Sequence, residues 1–132
     1  MAALDNGPGC DGLVFRIEQD KIEEETEILW RREQVGPAYI AMFVETVVSG
    51  QRLDALAFVA DCDAELIDVD LTRDEQIRCV ATGVGFMGSS LDYLRGIDQK
   101  FAALGIQDNE VTSLLRGAED LVRATTAEAQ NG

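Results

Sequence analysis

Acid/base chemistry in this chain has to be carried by carboxylates. The 132 residues include no histidine, which removes Ser-His and Cys-His nucleophile pairs and every imidazole metal ligand. Among the 25 acidic residues, one stands apart by position. The run DKIEEETEILWRREQVG, Asp20 to Gly36, reads as a helix with a defined start and stop. Asp20 caps it, Glu23 three residues on completes a capping box, and Gly36-Pro37 ends it. At 100° per residue Ile22, Thr26 and Leu29 share a stripe, and Glu33 returns to within about 20° of it. Glu23, Glu24 and Glu27 point mostly elsewhere, towards solvent. Glu33 thus ends an apolar stripe with an acid.

That position has a chemical consequence. The last turn of a helix presents the negative end of the macrodipole, which disfavours an anion there by roughly 0.3 to 1 kcal/mol. Partial burial acts in the same direction, so both effects push a carboxyl from its usual pKa of about 4.3 towards the range a general acid/base needs. The same residues also permit a plainer role, in which Glu33 bonds Arg31, Arg32 or a nearby amide and only shapes the helix end.

The elements around this helix are legible from pattern. The segment to Pro8-Gly9 is turn-rich, and Gly12 to Ile17 (GLVFRI) reads as a strand. Residues 39 to 48 (YIAMFVETVV) and 53 to 60 (LDALAFVA) read as the arms of a hairpin, with Ser49-Gly50-Gln51-Arg52 as its turn. Strand, helix and hairpin in that order predict an α+β sheet rather than a doubly wound one. Helices follow. Thr72 with Glu75 forms a capping box for a stripe of Ile77, Val80, Ala81 and Val84 that ends at Gly85. Ser89 or Ser90 caps a helix carrying Leu91, Leu94, Ile97, Phe101 and Leu104 as far as Gly105, and Asp108 starts a last one with Val111, Leu114, Leu115, Ala118, Leu121 and Val122. A single domain over 1–124 is expected, with 125–132 a small, polar, disordered tail.

Two further stretches need weighing. The acidic segment DCDAELIDVD, Asp61 to Asp70, has Leu66 where a calcium loop of the EF-hand type needs glycine and Thr72 where it needs a bidentate acid. That leaves only a loosely held cation open. Gly83-Val84-Gly85-Phe86-Met87-Gly88 matches G-x-G-x-x-G, but it follows an amphipathic helix instead of a strand, so it reads as a flexible crossing between helices. The amides before Leu91 could still hold an anionic group at the helix N-terminus.

Net charge is −14 from 25 acidic and 11 basic residues, which argues against binding a nucleic-acid backbone. No run of about 18 apolar residues is present, so no membrane span is expected. The first residues lack the basic-then-apolar order of a secretory signal, and a cytoplasmic location is the expectation. Cys10, Cys62 and Cys79 are widely spaced and odd in number, which points to reduced thiols rather than a disulfide framework.

Several separated motifs, in order, resemble one family. Gly9-Cys10-x-Gly12-x-x-Phe15-Arg16, then Leu29-x-x-Arg32-Glu33 with Tyr39 after it, then Leu56-Ala57-Phe58-Val59-Ala60, and Gly85-x-x-Gly88-Ser89-x-x-Asp92-Tyr93-Leu94 are similar to the ChaC family of γ-glutamylcyclotransferases over roughly residues 3 to 121. The resemblance implies a compact β-barrel or mixed sheet flanked by helices, and an enzyme releasing 5-oxoproline and cysteinylglycine from glutathione without metal or organic cofactor. It places Glu33 at the catalytic glutamate, Arg32 in the same motif, and Tyr93 at the pocket wall; Arg32 as an ion-pair partner and Tyr93 as an aromatic filling a helix interface are their plainer roles. The family's first strand carries Tyr-Gly-Ser-Leu, which this chain lacks. The expectation is therefore a domain incomplete at its N-terminus, with open sheet edges that invite pairing, for instance as a homodimer. A catalytically inactive binding or cation-transport regulatory protein on the same scaffold is the alternative.

Overall fold

A computed structural model describes residues 3–33 and 38–132, with the side chain of Glu33 outside the described set. The described residues up to Val69 form one compact unit and Asp70–Gly132 another.

In the first unit a 3-10 turn over Gln19–Lys21 leads straight into helix α1, Ile22–Glu33. The expected Asp20 cap does not form. Asp20 is already inside the turn, whereas a capping residue needs extended backbone, and it is Glu18 that takes that place without a side-chain cap bond. Charge order supports the helix instead: Glu23, Glu24 and Glu25 occupy its first turn and Arg31 and Arg32 its last, matching the two ends of the macrodipole. Glu27 and Arg31 pair one turn apart at 2.5 Å. The expected stop at Gly36-Pro37 lies outside the described residues.

Strands β1 (Tyr39–Val48) and β2 (Gln51–Ala60) pair antiparallel along their whole length, from Tyr39 opposite Ala60 to Val48 opposite Gln51. The turn is two residues, not four. Ser49 (φ 50°) and Gly50 (φ 79°) are both left-handed, the pattern of a type I′ turn whose twist suits a hairpin, so Gln51 and Arg52 join the strand. Glu45 lies opposite Asp54 in the register, an unfavourable like-charge pair, and Arg52 reaches Glu45 at 2.7 Å to offset it. Leu4 adds a single parallel bridge beside Val59, with its carbonyl accepting from the Ala60 amide at 2.8 Å.

Gly12–Ile17 forms no strand: the segment has no ladder partner among the described residues, and Phe15 is exposed. A strand's backbone groups need a neighbour to bond, which local composition cannot supply. The architecture is mixed α+β with small antiparallel ribbons, and the described residues contain no closed barrel.

The second unit holds three helices. The capping box forms as expected: the Glu75 amide donates to Thr72 Oγ1 at 3.3 Å and the Thr72 amide to Glu75 Oε2 at 2.8 Å, opening α2 over Arg73–Thr82. The helix ends before Val84, shorter than its stripe suggested. A side chain at Gly83 would meet Ser90 Oγ at 2.5 Å and the Cys79 carbonyl at 2.7 Å, so this glycine permits a close approach and the chain turns away there. Val84–Gly85 (β3) and Gly88–Ser89 (β4) make a minimal ribbon in place of a flexible crossing.

Ser89 caps α3 (Ser90–Leu104), Gly105 closes it in the left-handed region at φ 69°, and the Asp108 carboxylate accepts from the Val111 amide at 3.0 Å to start α4 (Asn109–Asn131). The expected tail from 125 onward is helical to Asn131, with its side chains exposed. Leu91, Leu94 and Ala118 are the buried apolar residues, while Leu104, expected inside, is exposed. Small residues let the helices approach: a Cβ on Gly117 of α4 would lie 2.6 Å from Ile77 Cδ1 of α2. Arg73 of α2 pairs with Glu110 at 3.2 Å and also bonds Ser113, both on α4.

Candidate active site

The last turn of α1 carries Arg32 and Glu33 as consecutive residues. Trp30 in the same turn has its ring 6.4 Å from that of Phe58 at an interplanar angle of 55°, a tilted geometry that ring quadrupoles favour. Phe58 sits in β2 opposite Ala41. The Leu56–Ala60 motif is therefore the arm of the hairpin that receives α1, and Tyr39 begins the other arm opposite Ala60. The Arg32 side chain is exposed, and Arg31 is engaged with Glu27. The Glu33 carboxylate lies outside the described residues, so the structure places its backbone at the helix end and leaves its partners unassigned.

Tyr93 belongs to the other unit, in the first turn of α3, and is about half exposed at 48%. The motif around it has local physical reasons. Ser89 Oγ accepts from the Asp92 amide at 3.1 Å and donates to Asp92 Oδ2 at 2.8 Å, and Leu94 is buried. Asp92 then accepts from Arg95 at 3.2 Å, and Arg95 Nε reaches Glu119 of α4 at 2.8 Å. The Ser89 hydroxyl, and after it Arg95, holds the Asp92 carboxyl below its ordinary value, while Glu119 is the main cause of a raised Arg95. Asp92 thus puts a carboxylate of the chain's own in the first turn of this helix, where the macrodipole favours an anion.

The glycine motif takes no part in a strand-to-helix phosphate turn. Its ribbon follows α2 and projects Phe86 and Met87 almost fully into solvent, at 99% and 86% exposure. The acidic loop after β2 is a turn: Asp61 accepts from the Asp63 amide at 3.0 Å through its side chain and from Ala64 through its carbonyl. No cluster of three or more metal-ligating side chains occurs among the described residues. All three cysteines are unpaired and exposed. Cys62 donates to Asp5 at 3.6 Å, and its thiol is pushed up by desolvation first and by Asp5 next.

A concavity of about 500 Å³ lies between the end of α3 and the start of α4, lined by Asp98, Phe101, Ile106, Asp108 and Thr112 among others; Tyr93 is not among its lining residues. Pattern reading missed the Asp92, Arg95 and Glu119 chain. Asp92 and Arg95 at i, i+3 carried a signal; Glu119, on another helix, carried none. No helix among the described residues is long and apolar enough to cross a membrane.

No solved structure matches the chain. The sequence is 25% identical over 123 residues to the glutathione-specific gamma-glutamylcyclotransferase of Escherichia coli strain K12, covering 92% of this chain and 53% of that protein. The chain thus spans about half the length of the curated relative it matches. The family model described as ChaC-like protein matches residues 1–121, and with the four ordered motifs above this makes the chain a member of the ChaC-like family.

Proposed function

We propose that this chain is a γ-glutamylcyclotransferase acting on glutathione, with Glu33 as the general acid/base and Arg32 and Tyr93 in contact with substrate. The observation that carries the reading is family membership over residues 1–121, with Arg32-Glu33 standing at the end of a helix braced on the hairpin by Trp30 and Phe58.

In this reaction the Glu33 carboxylate takes a proton from the α-ammonium of the γ-glutamyl group. The freed amine attacks its own γ-carbonyl carbon, forming the ring C–N bond and a tetrahedral oxyanion. Collapse breaks the C–N bond to cysteinylglycine as protonated Glu33 returns the proton to the departing amine, and the second proton of the ring nitrogen passes to that amine by the same carboxylate, leaving a neutral lactam and a cysteinylglycine ammonium. The products are 5-oxoproline and cysteinylglycine; no water, metal or cofactor enters the balance. Ring closure is intramolecular, so the chain's task is to hold the γ-glutamyl group bent and to pass two protons in turn from the attacking nitrogen to the leaving one. The absence of histidine agrees with a mechanism that needs a single carboxyl.

The test is to incubate the purified chain with glutathione and follow 5-oxoproline and cysteinylglycine. Equimolar release supports the reading. Glutathione acetylated on its α-amine should give nothing, because the nucleophile is blocked; product from that analogue, or none from glutathione itself, overturns it.

A further inference from the structure

The polar chain on α3 has a geometry that bears on Tyr93. Arg95 uses two different edges of its guanidinium: Nε donates to Glu119 Oε1 at 2.8 Å on α4, and NH1 donates to Asp92 Oδ1 at 3.2 Å within α3. Asp92 is in turn held by the Ser89 hydroxyl at 2.8 Å. A continuous run of side-chain bonds therefore links the capping residue of α3, its first turn and the middle of α4. The ion-pair side chains of Arg95 and Glu119 are 42% and 36% exposed, so the brace is partly shielded from solvent.

The helix phase decides what this brace controls. Leu91 and Leu94, both 8% exposed, fix the inward side of α3, and Arg95 lies within about 100° of each at 100° per residue. Tyr93 precedes Arg95 by two residues and so projects about 160° away from it. Arg95 grips the helix from the side facing α4 while Tyr93 is presented on the opposite side.

We infer that Arg95 and Glu119 are positioning residues: their pairing, continued through Asp92 to Ser89, sets the rotation of the first turn of α3 and thereby where the Tyr93 hydroxyl stands for substrate. The inference rests on the cyclotransferase reading for its functional consequence and on the α3 and α4 geometry alone for its structural one. A lysine at position 95 would not replace the arginine, because a point charge cannot serve two edges at once.

The experiment has two readouts on the full chain. The protein has two tyrosines, so 3-fluorotyrosine labelling gives two fluorine resonances, assigned by Tyr93→Phe. Arg95→Lys and, separately, Glu119→Gln should each shift the Tyr93 line and leave the Tyr39 line in place; an unmoved Tyr93 line in both folded variants overturns the inference. Using two variants guards against one that fails to fold. In kinetics, each variant should raise KM for glutathione by about two- to fivefold at unchanged kcat, the scale expected of a half-exposed ion pair. The same substitution made in the Tyr93→Phe background should have no further effect. Additive effects refute action through Tyr93. No turnover by the wild-type chain would count against the cyclotransferase reading itself, and the fluorine result then decides on the brace.

Discussion

Two glycines of the helical unit should respond to alanine with opposite signs. Gly96 lies inside α3, where a Cβ would have nothing within 4 Å, so Gly96→Ala removes only the entropic penalty of glycine in a helix and should stabilise by about 1 kcal/mol. Gly83, just past α2, is different. Its Cβ would stand 2.7 Å from the Cys79 carbonyl and 2.5 Å from Ser90 Oγ, where ordinary contact begins at 3.4 Å. Ser90 Oγ can rotate aside. The Cys79 carbonyl is backbone that accepts from the Gly83 amide at 2.8 Å, so relief requires moving the helix end or the residue. Overpacking of this kind costs about 1–3 kcal/mol, and the stiffer unfolded chain returns about 0.4–1 kcal/mol. The net is a destabilisation of about 1.3 kcal/mol, within a range of about 0–2.6 kcal/mol. At about 3–6 °C per kcal/mol for a chain of this size, Gly83→Ala should melt several degrees below wild type and Gly96→Ala several degrees above. Thermal unfolding followed by far-ultraviolet circular dichroism reads both. Should Gly83→Ala melt above the wild-type temperature, the close approach of α2 and the start of α3 is refuted.

Other outcomes follow from single contacts. Trp30→Ala removes a half-exposed ring that braces α1 on β2 and should cost about 1.5–2.5 kcal/mol, roughly half the loss of a buried aromatic; a urea midpoint unchanged from wild type would contradict the brace. Glu75 is held below its ordinary value of 4.5, first by the Thr72 hydroxyl and then by the Thr72 amide. A lowered carboxyl contributes stability that is complete above the ordinary value and is lost as pH falls through the folded one. Thr72→Ala should therefore lower stability above pH 4.5 and flatten its fall in acid below that; parallel acid limbs for the two proteins would be the contrary result. Cys62, with its thiol pushed up beside Asp5, should alkylate with iodoacetamide more slowly than Cys10 or Cys79 at neutral pH, as read by mass spectrometry of the peptides. Asp5→Asn should speed it, and an unchanged rate would remove Asp5 as a cause.

The features that sequence revealed are those whose chemistry is complete within about four residues. The Thr72 and Glu75 box, the Ser89 and Asp108 caps and the Gly105 stop all formed where their residue types put them, because each bonds its own helix end. β1 was also placed to the residue. The misses are of two kinds. Some are local conflicts: Asp20 lost its cap to a turn that begins one residue earlier, and Ser49 took a left-handed conformation that shortened the loop. Others depend on distant partners. Gly12–Ile17 has strand composition and no strand beside it among the described residues, and α2 stops before Val84, where the Gly83 carbonyl accepts from the distant Ser90 amide at 2.8 Å instead of from a next helical turn. The site shows the same division. Glu33 is a candidate by helix phase and by motif alone, its side chain lying outside the described residues, whereas the reach of Arg95 to Glu119 on α4 left no mark in the local pattern.

On the proposed mechanism one carboxyl, that of Glu33, both takes and returns the transferred protons. The most direct measurement of this is the rate of 5-oxoproline formation from saturating glutathione by the wild-type chain and by Glu33→Gln, with matched circular dichroism. Gln keeps the shape and loses the exchangeable acid. Wild type should form product, and the variant should show a kcat lower by at least about 10²-fold, the usual contribution of a general acid/base. Equal rates from two equally folded proteins would contradict it.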